Sequence, residues 1–520
     1  MIIKRVGSPM AKNNNYRFQQ SLKNPDEFTL TFELVPGRGG CSKEYARILA
    51  LAENIAKDGR FQAVSITENA GGVAALSPEV LGLEIQKMGL DVIVHFSSKD
   101  KNRNQMESLL LAWNRLGIRD LLVITGDYPQ KGYQGLPKPV FDLESVHVLN
   151  LISKMNKGDF SNTQQSDCIR STSFCNGVAF SPFKRLEAEL MMQYCKLHRK
   201  AAQGADYLIT QVGYDARKFQ EILFYLKEND LALPILGNVF IPNLTVSELM
   251  HQGKIPGCII TDRLYEIIKQ EGQGPDKGKK ARLIRAAKLL AIQQGLGYSG
   301  AHLGGPGLKY EDLNFLLEQA ADFLPRWQEL VPEMNFWHED GFYLYEKDLQ
   351  TGLNRMPPSP SKPTPKTAFS LNYHFARLMH ILAFEPDGAL YQPLKKTCLA
   401  FDNSRLDGAL THIEHVIKFL LFECQNCGDC TLGELAFVCP QSGCAKYLVN
   451  GPCGGSRDGW CEVYPGKKRC LYVRIYERLK SQGLTQAMQQ GFVPPRNWAL
   501  NNTSSWVNFY RGLDHAGKDR

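Results

Sequence analysis

The sequence predicts an α/β fold: a (β/α)8 TIM barrel followed by a second, smaller cysteine-rich, metal-binding α+β domain. Three observations carry this. Eight short β-like runs, most of them apolar, alternate with amphipathic stretches across residues 30–303, the rhythm of a closed parallel barrel. No G-x-G-x-x-G follows the first run, which disfavours the competing open dinucleotide-binding sheet. Of 14 cysteines, eight fall between Cys424 and Cys470, and clustering of that kind in a cytoplasmic chain points to metal ligation before disulfides.

The strands are expected at 30–35 (LTFELV), 62–67 (QAVSIT), 91–96 (DVIVHF), 120–125 (DLLVIT), 177–180 (GVAF), 206–211 (DYLITQ), 233–239 (LPILGNV) and 297–303 (GYSGAHL). Most are rich in Val, Ile, Leu or Phe, as strands buried on both faces should be. The helices between them include 44–58, ended by Gly59, and 104–116, followed by Gly117, where glycine suits a C-cap. Residues 311–355 read as helical. RMPPSPSKPTPK (355–366) reads as a semi-rigid connector. A helical pattern resumes from 367 to 421 before the cysteine-rich segment. The chain therefore divides into 1–310, 311–366 and 367–520, as its 520 residues require of a chain too long for one core.

With 43% hydrophobic and 22% charged residues the composition is that of a soluble globular protein. No apolar run approaches a membrane span, and the first fifteen residues lack a secretory core. A cytoplasmic protein with no nucleic-acid partner is expected, and a homo-oligomer is allowed. Net charge is +8, and residues 457–520 hold eleven Lys/Arg against five Asp/Glu. That excess is either a solvated surface or a site for an acidic partner.

Functional side chains of such barrels sit at the C-terminal ends of the strands. The candidates there are Glu33, Thr67, His95, Thr125-Gly126-Asp127 and Thr210-Gln211. Each also has a structural reading: a strand Glu pairs across the barrel, an Asp caps a turn, a lone His packs in a core. Their shared placement at one rim favours function.

Five ordered segments resemble the methylenetetrahydrofolate reductase family, a group of flavin-dependent barrels: FELVPGR (32–38), SITENAGG (65–72), VIVHFSSKD (92–100), GIRDLLVITGDYP (117–129) and ITQVGYD (209–215). The likeness covers residues 28–305. It implies a hydride transfer that interconverts 5,10-methylenetetrahydrofolate and 5-methyltetrahydrofolate. In that scheme Glu33 is the general acid, its pKa raised by burial. Asp127 stabilises the cationic iminium and faces the flavin, and Gln211 holds the pterin. Thr67, His95, Thr125, Gly126, Asp127, Phe180, Arg199 and Lys200 match cofactor-contacting positions. Thr125 stands where better-known members carry Arg. Lys184, Gln193 and Lys196 depart from the family in its adenine and ribose region, so FAD and FMN both stay open.

The cysteines run C424-x2-C427-x2-C430-x8-C439-x4-C444-x8-C453-x7-C461-x8-C470. Eight thiolates suit two 4Fe–4S clusters, two four-cysteine zinc sites, or one of each. The strict two-residue gaps and the Cys439-Pro440 pair favour iron–sulfur. The segment also resembles the cysteine-rich partner subunit of acetogen-type reductases, over about 370–480. An acidic carrier such as ferredoxin is then the expected electron donor. Two other readings remain: an NAD(P)H-dependent reductase with a structural zinc domain, and a non-catalytic folate-binding or methyl-transfer partner.

Overall fold

A computed structural model describes residues 17–40, 42–159, 171–358, 371–401, 407–485 and 491–517. The N-terminal segment 1–15, Cys41, Cys168 and the connector from 359 to 366 lie outside the described residues. Eight parallel strands close into a barrel in chain order. They are β1 (Thr29–Leu34), β2 (Ala63–Ile66), β3 (Asp91–Ser97), β4 (Asp120–Ile124), β5 (Cys175–Phe180), β6 (Tyr207–Thr210), β7 (Ile235–Phe240) and β8 (Gly300–Gly304). The predicted spans hold, with end shifts of no more than three residues.

Successive strand residues face opposite ways, so alternate positions fill the lumen. In the lower half these are mostly apolar: Ala63, Ile93, Leu122, Ile209 and Leu236 cluster with Phe18 and Tyr207. In the upper half they are Thr31, Glu33, Ser65, His95, Ser97 and His302, with Glu33 beside Ser65 and Thr31 beside His302 in register. Helix Arg17–Lys23, which the strand pattern does not announce, plugs the lower end. Its Phe18 N–H donates to Asp91 (2.8 Å) and its Gln19 amide to Asp120 (2.7 Å), both first residues of strands. A Cβ at position 177 would lie 2.2 Å from the Tyr207 ring. Gly177 thus makes room for that side chain in the lumen.

The expected helix over 311–355 is only partly correct. An α-helix covers Tyr310–Phe323 and 3-10 turns cover Leu324–Met334, after which the chain forms an antiparallel hairpin of β9 (Tyr345–Lys347) and β10 (Asn354–Pro358). Pro325 and Pro332 withhold the N–H groups a continuous helix needs. The segment instead finds partners on helix Ala216–Glu228: the Tyr343 hydroxyl donates to Asp215 (3.2 Å), Leu344 N–H to Glu221 (2.6 Å) and Arg217 to Asn354 (3.0 Å).

The C-terminal module opens with helices Leu371–Ala383, Tyr391–Phe401 and Asp407–Phe422. It packs on barrel helix Glu187–Ala202, whose Ala188, Met192 and Cys195 share a core with Leu435, Val438, Leu448, Tyr472 and Ile475. Beside this core lies Glu144, N-cap of helix Ser145–Lys157. Its buried carboxylate accepts from Lys196 Nζ (2.7 Å) and from module backbone N–H groups of Val449 (2.9 Å) and Asn450 (2.6 Å). Burial acts upward on this carboxyl, but Lys196, His147 and the hydrogen bonds outweigh it and hold it below the ordinary 4.5.

Removing one partner of a buried ion pair strands the other, so Glu144→Ala should cost about 3–5 kcal/mol, read by chemical denaturation. The Glu144 contribution is present above the unfolded carboxyl value and is lost as pH falls through the lower folded one. Wild-type stability should therefore drop below about pH 4 more steeply than that of Glu144→Gln; parallel pH profiles would contradict the assignment.

Candidate active site and cysteine centres

Glu33 projects inward from β1 with its side chain 23% exposed. His302 of β8 lies opposite, its Nε2 3.8 Å from Glu33 Oε2 and 3.5 Å from Ser65 Oγ, its Nδ1 2.8 Å from Thr31 Oγ1. His95 of β3 completes the group, with one ligand-type atom from each of the three within 4.8 Å of the others. Burial acts upward on the Glu33 carboxyl, yet His302 beside it and then His95 outweigh it and hold it below its ordinary value. This corrects the expected upward shift. The cause is His302, which strand closure brings in from the far end of the barrel sequence. Burial pushes His95 down to about 4, so its ring is neutral at pH 7, and its buried Nε2 has no hydrogen-bond partner.

The turn after β4 passes tightly over the end of β3. Gly126 has φ +88°, and a Cβ there would lie 2.1 Å from Ser97 Oγ. Asp127 accepts from Gly71 N–H (3.0 Å), joining the loop after Thr67 and β2 to the turn. Gln211 follows β6. Its carbonyl oxygen accepts from Val212 N–H (2.9 Å) and from the Cys258 thiol (3.6 Å), which leaves the amide nitrogen to donate. The Cys258 thiol is pushed up to about 12 by burial and then by the charges of Asp127 and Glu33, so these groups share one mouth.

Other expected site residues lie elsewhere. The Phe180 ring packs outward on Tyr194 at 5.0 Å. Thr125 donates to Ser145 at the start of an outer helix (3.4 Å). Lys200 donates to Ala179 O (2.6 Å), and burial followed by the like charge of Lys196 pushes it down to about 7. Arg199 lines a cavity of about 620 Å³ together with Tyr373, His380 and Tyr472 of the module. Glu33, Thr67, His95, Gly126, Asp127 and Gln211 are the residues gathered at the mouth.

The module lies against this mouth. Lys446, paired with Glu462, donates to Gly126 O (2.8 Å), Lys184 to Ser456 O (2.6 Å) and to Gly454 O, and Lys196 to Gly451 O (3.2 Å). A Cβ on Gly257 would sit 3.2 Å from the Gln211 amide and 3.3 Å from Gly454 O, so the 450–455 loop runs beside Gln211. Motif reading overlooks His302, Thr31, Ser65, Cys258 and Lys446. For His302 a signal existed: within GYSGAHL it occupies the inward parity of the strand.

The eight cysteines form two sets. Cys424 and Cys427 each feel the charges of Cys430 and Cys439. Cys444 feels Cys461, Cys453 feels Cys470 and Cys444, and Cys470 feels Cys444. One set is thus Cys424, Cys427, Cys430 and Cys439, and the other Cys444, Cys453, Cys461 and Cys470, separated by the single-turn helix Pro440–Gly443. The second set carries the loop seated at the barrel mouth. Burial pushes the Cys427 and Cys470 thiols up to about 12, and a bound cation would reverse this by binding the thiolates.

A family model described as methylenetetrahydrofolate reductase matches residues 17–303, and one described as methylene-tetrahydrofolate reductase C terminal matches residues 404–499. Methylenetetrahydrofolate reductase 1 of Schizosaccharomyces pombe is 22% identical over 296 residues, which are 53% of this chain and 44% of that protein. The match thus spans less than half of the relative's length. A solved structure, an uncharacterized protein from Clostridium thermocellum described as binding two copies of 5-methyl-5,6,7,8-tetrahydrofolic acid, aligns with TM-score 0.41 at 12% identity. That alignment covers 59% of this chain and 98% of the other.

The Gly126 turn can be tested directly. Gly126→Ala combines an unfavourable φ with a clash against Ser97, and should destabilise by about 1–3 kcal/mol. Adding Ser97→Ala should recover most of the steric part, the remaining contact being with the Lys99 side chain, and leave the backbone part, measured by urea denaturation of both variants.

Proposed function

This chain belongs to the methylenetetrahydrofolate reductase family, and on that footing we propose that it interconverts 5,10-methylenetetrahydrofolate and 5-methyltetrahydrofolate by flavin-dependent hydride transfer, fed with electrons through its own cysteine-rich module. The observation that carries the reading is the gathering of Glu33, His95, Asp127 and Gln211 at one mouth, beside the loop that holds Cys453.

Reduction of the methylene carbon requires the five-membered ring of the substrate to open to an iminium, and opening requires a proton at N10. Glu33 supplies it. The two histidines hold its carboxyl low; a bound folate that excludes water acts in the opposite direction. The Asp127 carboxylate stabilises the cation, and the Gln211 amide, with its oxygen already engaged, donates to the pterin edge.

A bound flavin supplies the hydride. The residues present fit one: the buried Nε2 of His95 lacks a partner. Thr67, His95, Gly126 and Asp127 would hold the ring. Lys184 and Lys196, at positions that resemble the family's adenine and ribose region, donate instead to module carbonyls. That supports FMN over FAD.

Each cysteine set would hold one 4Fe–4S cluster, supplying one-electron transfer. The strict two-residue gaps between Cys424, Cys427 and Cys430, with the Cys439-Pro440 pair, support iron–sulfur over zinc. An acidic carrier such as ferredoxin is the electron donor. A groove of about 750 Å³ lined by Arg103, Lys138, Gln425, Arg496 and Trp498 lies beside Cys427, whose carbonyl accepts from Arg496, and supports docking there.

Glu33→Gln should keep the flavin colour and lower folate reduction by roughly a hundredfold or more; normal turnover would remove Glu33 as the acid. Anaerobically purified protein should contain FMN, iron and sulfide, and Cys427→Ser and Cys470→Ser should each lose about half of the iron. Zinc alone, with rapid flavin reduction by NADH, would instead favour a nicotinamide-dependent enzyme with a structural module. Absence of flavin would favour a folate carrier.

A further inference from the structure

His302 has no role in the scheme above, yet it is placed to act on Glu33. Thr31 Oγ1 lies 2.8 Å from His302 Nδ1 and also donates to Ala301 O (3.4 Å). When its hydroxyl proton is directed at that carbonyl, Thr31 accepts from Nδ1–H, and the neutral ring then turns a bare Nε2 toward Glu33 Oε2 and Ser65 Oγ. In this tautomer a neutral His302 can accept from a protonated Glu33, and a protonated His302 can donate to the Glu33 carboxylate. Two protons leave the pair with a charged imidazole facing a carboxylic acid, and none leaves a carboxylate facing a lone pair.

Two other titratable groups facing this pair hold fixed states near neutrality. His95 from β3 stays neutral because of its burial, and the Cys258 thiol is held far up by burial. Asp127, on the turn after β4, reaches the group through its effect on Cys258. Lys184, which acts on the same thiol, is directed to module carbonyls.

We propose that Glu33 and His302 share a single proton, with His302 as the positioning residue that keeps the proton while Glu33 is ionised and returns it for transfer to the substrate. The Glu33 O–H bond breaks as the N10–H bond forms, the imidazolium Nε2–H then reprotonates the carboxylate, and solvent at the exposed edge of Glu33 recharges the imidazole. The inference rests on the reading of Glu33 as proton donor, and it extends that reading to the supply of the proton.

Two measurements on the flavin-loaded protein test it, comparing wild type with His302→Gln. The first is an infrared pH titration of the protonated carboxyl band of Glu33, identified as the band lost in Glu33→Gln. The second is the pH dependence of single-turnover reduction of methylenetetrahydrofolate by pre-reduced enzyme. Without His302 the carboxyl loses the partner that favours its ionised form, so the infrared midpoint should move to higher pH. The reservoir is lost too, so the rate should fall off at lower pH than in wild type, by about one unit or more, a tenfold loss on the basic side. A merely structural histidine does not move these two readings in opposite directions. Thr31→Val, which releases the tautomer, should give the same signs with smaller size and serves if His302→Gln folds poorly. Unchanged infrared and kinetic midpoints in both variants would overturn the proposal. If Glu33→Gln turns over normally, the acid assignment fails, while the infrared midpoints still decide whether the pair shares a proton.

Discussion

The arrangement of this protein depends on one buried carboxylate. Glu144 caps a barrel helix, pairs with Lys196 on the next barrel helix and accepts two backbone N–H groups from the cysteine-rich module. A charge in that position is costly unless its partners are present, so the docked module and the local fold of the barrel support each other. Around it, Asn450 extends the same network to His147 (2.9 Å) and Val493 (2.8 Å). The consequence is geometric. With residues 449 and 450 held, the 450–455 loop and its Cys453 have little choice but to lie at the barrel mouth.

The barrel interior obeys a simpler constraint. Inward positions alternate along each strand, so a lumen can be apolar in one half and polar in the other without altering the strand pattern. The lower half is closed by Phe18, Tyr207 and their neighbours. The upper half receives the groups that chemistry needs, already shielded from water by the layer below. In such surroundings two imidazoles can dominate a carboxylate whose burial alone would work the other way.

Much of this was legible in the amino-acid order. Strands such as DVIVHF and DLLVIT are short apolar runs that need no tertiary information, and Glu33, His95 and Asp127 sit where strand ends must form the rim. What was illegible depends on closure and docking. His302 meets Glu33 only because β8 returns to β1, a contact between residues some 270 positions apart. The fate of Lys184 and Lys196 depends on carbonyls contributed by the module. Arg199 follows helix Glu187–Ala202 out to the interface, and Phe180 faces its outer side. The segment from 335 to 358 carries aromatic residues that suit a helix as well as a hairpin, and contacts with Asp215 and Glu221 decide between them.

The seam between barrel and module is stitched from distant points of both: Glu144, Lys184, Glu187 and Lys196 on one side, Gly126 receiving Lys446, and Glu189 receiving Gly459 N–H (3.0 Å). The peptide that crosses from 358 to 371 is one tether among these. Severing it would leave the recognition surfaces intact, so the module is a subunit in every respect except its backbone. Fusion adds equal copy number and a high local concentration of each half for the other, so the assembly survives dilution at which unlinked chains would dissociate.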